Sequence, residues 1–145
     1  MKAIVLIMLA IFAKGCEDQV RDMEATVIEY SANTRGFYQK ITIANKVAQV
    51  TNDREGIQPA QQVQISDSDW KALVDAFSKV DLNKLSELKA PSEKRAFDGA
   101  AHAGLRVRYK DTNYETTNFD HGNPPAEISD FVEKIVVFGK PKDGN

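Results

Sequence analysis

The sequence predicts an α+β fold: an antiparallel sheet of about five strands, in the order βββ-α-ββ-α, with two helices packed on one face. Three observations carry this expectation. Runs of β-branched and aromatic residues come in neighbouring sets separated by short turn-forming stretches, the pattern of hairpins. The segment "SDSDWKALVDAFSKV" places apolar residues at helical spacing behind a capping signal. A second, shorter periodic stretch follows Pro124-Pro125.

Taken in order, "ATVIEYS" and "FYQKITIA" form a first hairpin across "ANTRG", where Gly36 is available for a positive φ. Asn45-Lys46 then turns the chain into "VAQVT", completing a meander. "NDREGIQPAQQVQ" is polar and contains Pro59, so it reads as a loop. Ser66 can cap the amide of Asp69, while Asp67 and Asp69 suit the positive end of the helix dipole. Trp70, Leu73, Val74 and Phe77 share one face of that helix, which makes Trp70 a core residue.

Leu82, Leu85 and Leu88 recur every third residue before a break at Pro91, the mark of a short helical turn or a leucine-pinned loop. "AHAGLRVRYK" and "YETTNFD" flank "DTN" as a second hairpin. A three-residue turn over Asp111 to Asn113 would set Phe119 beside Leu105, whereas a two-residue turn would flip the whole second strand. Burial of Phe119 favours the first. Pro124 opens the last helix with Asn123 as its cap, and Ile128, Phe131, Val132 and Ile135 form its buried stripe.

Composition bounds the function. The 145 residues are 42% hydrophobic and 28% charged, with a net charge of −2. Removing Lys2 and Lys14 with the first fifteen residues makes the balance more acidic still, which argues against nucleic-acid binding. Domain organisation follows: a leader at 1–15, a polar linker at 16–23, one domain at 24–138 and a polar tail at 139–145.

The leader, "MKAIVLIMLAIFAKG", has an unbroken apolar run of eleven residues from Ala3 to Ala13. As a helix it is about 16 Å long, roughly half of a hydrocarbon core, and it has the layout of a signal peptide. With Gly15 before the single Cys16, "AKGC" resembles a bacterial lipoprotein signal, although Lys14 stands where a small or hydroxyl residue is usual. The resemblance implies that the Cys16 thiol receives a diacylglyceryl group and that the chain is anchored in the cell envelope by lipid. It also implies residence in the outer membrane of a Gram-negative bacterium, on the periplasmic side or at the surface. An unpaired cysteine in an exported chain is then accounted for as the anchor. Glu17 and Asp18 resemble the short acidic export tags of some surface lipoproteins, and read equally as a solvated linker.

The body of the chain resembles small domains of secreted bacterial proteins, through Trp70, Asp98-Gly99, Phe119 and Pro124-Pro125; that likeness implies a fold and no activity. Catalytic signals are thin. Asp98, His102, Asp120 and His121 could converge at the ends of the second hairpin as an acid–base or zinc set, but no metal-ligand spacing backs them, and turn chemistry explains them as well. No nucleophile elbow or phosphate loop is present. No cofactor and no catalytic residue are therefore expected. Arg106, Arg108 and Lys110 line one face of a strand and, with Tyr114, are candidate interface residues on the open sheet for a protein partner. The expected function is a lipid-anchored, non-enzymatic envelope protein with a binding or structural role. The alternative is a small inhibitor or ligand-binding lipoprotein acting on a secreted or envelope enzyme.

Overall fold

The computed structural model describes residues 23–141. The leader, Cys16 and the acidic pair after it lie outside the described residues. Within them the fold is α+β. Strands β1 (Val27–Asn33), β2 (Tyr38–Ala44), β3 (Val47–Thr51), β4 (Gln61–Gln64), β5 (His102–Tyr109), β6 (Thr112–Glu115) and β7 (Phe119–Asp120) form one antiparallel sheet. Its order is β4-β3-β2-β1-β5-β6, with β7 also paired to β5. Helices α1 (Asp67–Ser78) and α2 (Ser129–Val136) complete the fold.

Alternation decides which sheet face is covered. Ile28, Tyr30 and Ala32 of β1 point to one side, as do Ile41 and Ile43 of β2 and Leu105 and Val107 of β5, and all are buried. Trp70, Leu73 and Ala76 from α1 and Phe131, Val132 and Ile135 from α2 pack onto that side. Phe77 and Phe131 join the helices, with ring centroids 5.3 Å apart. Ser66 caps α1 as expected, its side chain accepting from the Asp69 amide at 3.2 Å.

Two expectations about strands need correction. The stretch before α1 is not all loop, because Gln61–Gln64 pairs with β3. As an edge strand in water it needs little apolar pattern, and Pro59 falls just ahead of the ladder. With β7 counted as well, the sheet has seven strands rather than about five. Gly36 does not adopt a positive φ; in the meander that conformation falls to Asn45 and Lys46, at 50° and 62°. Two consecutive left-handed residues make the turn type whose twist matches a hairpin.

The second hairpin also differs from its expected register. Tyr109 pairs with Thr112, so the turn has two residues, Lys110 and Asp111, at φ 47° and 63°. Arg106 then pairs with Glu115, but further on Ala103 pairs with Phe119 and His102 with Asp120. One extra residue has entered the outer strand between Glu115 and Phe119, a bulge that reverses the flip imposed by the shorter turn. Phe119 is fully buried, opposite Ala103 rather than Leu105.

The leucine spacing of three belongs to a 3-10 helix at Leu82–Glu87, where residues three apart lie over one another. Leu85 is buried, and Asp81 caps the segment by accepting from the Asn83 amide. At the C-terminal helix, Asn123 is not the cap. Ala126–Ile128 forms a 3-10 turn entered from Pro125, and α2 begins at Ser129. Ile128, Phe131, Val132 and Ile135 are all buried, as the periodicity requires.

Candidate functional site: a tyrosine–histidine pair lining a cavity

Strand β7 separates its neighbouring acid and imidazole by alternation. Phe119 faces the core, so Asp120 faces the opposite side and His121 returns to the helix side. Asp120 is nevertheless 1% exposed, because the chain around residues 92–95 closes over it. Its carboxylate accepts from Ser92 Oγ at 2.6 Å, from the Lys94 amide at 2.8 Å, and from the amide and guanidinium of Arg95 at 3.0 and 3.1 Å. Burial acts to raise its pKa, but these donors prevail and hold it well below the ordinary carboxylate range. Asp120 is a loop clamp.

The other candidates scatter. His102 pairs with Asp120 across the strands but is exposed, and Asp98 is exposed at the left-handed end of a 3-10 turn, φ 58°. His121 bonds to Tyr30 instead. Among the described residues, no group of three or more His, Cys, Asp or Glu side chains is placed to hold a metal ion.

Tyr30 sits midway along β1 with no exposed surface, so its hydroxyl must find a partner inside the protein. That partner is His121 Nδ1, at 2.7 Å. Burial raises the phenol pKa and lowers that of the imidazole, so both are neutral at pH 7. Phe37, at the turn into β2, sets its ring 5.6 Å from the imidazole, centroid to centroid. Together they line a cavity of about 380 Å³ whose remaining wall includes Pro124, Val132 and Val136.

The C-terminal segment closes this cavity on one side. Gln39 is nearly buried in β2, and its amide donates to the Gly139 carbonyl at 2.9 Å. A Cβ at position 139 would stand 2.6 Å from that same amide nitrogen, so a larger residue there would push the Gln39 side chain aside. Lys140 and Glu133, both exposed, stand at the cavity's edge.

The proposed interface row is less uniform than its strand suggested. Arg106 pairs across the sheet with Glu29 on one side and Glu115 on the other, and its guanidinium lies 3.1 Å from the Glu115 carboxylate. Lys40 continues the alternation at 3.4 Å from Glu29, and Arg108 contacts Asp111 at 3.4 Å. Lys110 is in the turn, its ammonium 5.3 Å from the Tyr109 ring centroid. Tyr114 sits opposite Val107 on the core side, away from the arginines.

Residue-type reasoning singled out His121 but missed Tyr30, Phe37 and Gln39, which read simply as strand residues. The available signal was modest: Tyr30 occupies a core-facing position where its hydroxyl would need a partner. No family model matches the chain, and neither do curated proteins or solved structures.

Proposed function

We propose that the chain is an exported, lipid-anchored binding protein of the cell envelope that holds a small organic ligand in the Tyr30–His121 cavity. The cavity carries the ligand reading. Its volume of about 380 Å³ lies within the range of small-molecule sites, and a mainly apolar wall with a few converging polar groups is their usual chemistry. Binding is favoured over turnover because Asp120 is committed to the 92–95 loop and His121 Nδ1 to Tyr30. The sheet's open face, with Glu29 and Glu115 flanking Arg106, offers a less selective surface.

Export and anchoring rest on the apolar run, Gly15 and Cys16. Cys16 is the lipidated residue and the anchor lies in the outer membrane, on the periplasmic side or at the surface. Two measurements test the reading. Cys16→Ser should abolish fatty-acid labelling and move the protein to the aqueous phase of a detergent partition; retention in detergent would refute the anchor. A small-molecule thermal-shift screen should give hits that vanish in Val136→Trp, which fills the cavity. Hits unchanged by that substitution would refute the cavity as the site.

A further inference from the structure

The polar groups of the cavity are not equally available to a ligand. The Tyr30 hydroxyl is fully buried, and its hydrogen-bond partner is His121 Nδ1. A buried phenol must donate its proton, so Nδ1 is assigned as the acceptor and the ring proton goes to Nε2. The Gln39 amide is likewise engaged, donating to Gly139 O and, at 3.4 Å, to Asn52 Oδ1. Among the described residues, no hydrogen bond engages His121 Nε2. His121, with that unengaged ring N–H, and Lys140 both border the cavity, whose mainly apolar wall also carries the Gln39 amide and Glu133.

Donors select acceptors. On the ligand-binding reading above, we propose that the Tyr30–His121 cavity takes a small carboxylate with an apolar body, one carboxylate oxygen accepting from His121 Nε2–H. The body packs against Phe37, Pro124, Val132 and Val136, and the Lys140 ammonium supplies the compensating charge. Glu133 also borders the cavity and is exposed, as Lys140 is. An ammonium ligand would find there one exposed carboxylate, with the Gln39 amide oxygen beside Gly139 as its one side-chain amide acceptor. Tyr30 is then a positioning residue: its hydroxyl is committed to His121 and sets which ring nitrogen bears the proton.

Benzoate, benzamide and benzylammonium share one apolar body and differ in charge, so they separate the possibilities. By calorimetry or NMR titration of the mature domain, benzoate should bind at least tenfold more tightly than benzylammonium, with benzamide between. His121→Asn should weaken benzoate at least tenfold. Tyr30→Phe, with its fold verified by circular dichroism, should do the same although it keeps the ring and removes only a hydroxyl bonded to His121; Lys140→Gln should cost a few-fold. Preference for benzylammonium, or benzoate binding indifferent to both His121→Asn and Tyr30→Phe, would overturn the carboxylate assignment while leaving a ligand cavity in place. Failure of all three probes, with no hit in the Val136→Trp-controlled screen, would remove the ligand reading itself.

Discussion

Asp120 accepts both the backbone N–H of Arg95, at 3.0 Å, and its guanidinium, at 3.1 Å, across 25 residues of chain. One carboxylate thereby fixes the path of the loop that covers it. Asparagine at this position would keep one acceptor oxygen and turn two N–H groups toward existing donors. Asp120→Asn should lower the melting midpoint by more than Glu115→Gln, which breaks an exposed pair of little worth. Amide exchange at Lys94 and Arg95 should accelerate together. Unchanged exchange there would show that the carboxylate does not organise the loop.

Acid stability should fall in two windows. The folded-state pKa of His121 lies below its ordinary 6.5, so below that pH the unfolded chain binds the extra proton and stability declines as pH falls. The folded-state pKa of Asp120 lies below its ordinary 3.8, so its contribution is present above that value and lost on further acidification. Denaturant titrations from pH 7 to 2 should show both slopes. His121→Gln should remove the contribution beginning near 6.5 and spare that of Asp120; an identical profile in the mutant would refute the buried-imidazole account.

Trp70 is 7% exposed in the contact between α1 and the sheet. Trp70→Ala should cost about 3–5 kcal/mol in denaturant unfolding, for lost transfer energy and the cavity left behind. A cost well under 1 kcal/mol would place the indole outside the core.

The turn of the second hairpin allows a prediction of opposite sign. Asp111 holds φ 63°, a conformation that glycine adopts without steric cost. Asp111→Gly forgoes an exposed contact with Arg108 and relieves the backbone, so a net gain of up to about 1 kcal/mol is expected. Destabilisation would mean that the Asp111 side chain supports the turn.

Local chemistry was the legible part of the fold. Ser66 and its helix, the leucines at intervals of three, and the stripe from Ile128 to Ile135 all follow from interactions spanning a few residues. The second hairpin shows where such reasoning stops. Burying Phe119 was the right constraint, but two geometries satisfy it, and a two-residue turn with a later bulge is as consistent as a longer turn. Gln61–Gln64 was illegible because an edge strand is held by its neighbour's backbone, to which side-chain pattern is blind. The candidate site was hidden for a related reason. His121 and Tyr30 are 91 residues apart, and only the β1–β5–β7 ladder brings the hydroxyl to the ring.

That ladder also separates two ends of the domain. Met23 lines a small hollow with Val74, Phe77 and Tyr109 near the Val27 end of β1, whereas Phe37 and His121 stand beyond its Asn33 end. Seven residues of strand set these ends about 20 Å apart. On the lipid-anchored reading, the chain from Cys16 to Met23 is a leash of at most about 25 Å. Such a leash would join the domain near the Val27 end, with the cavity toward the other end. A bilayer rich in anionic headgroups repels a carboxylate only within a Debye length, about 8 Å at physiological salt. On that reading, whenever the Val27 end faces the bilayer, a cavity at the far end of β1 would lie beyond a Debye length from the headgroups and would sample ligand at the concentration of the surrounding fluid.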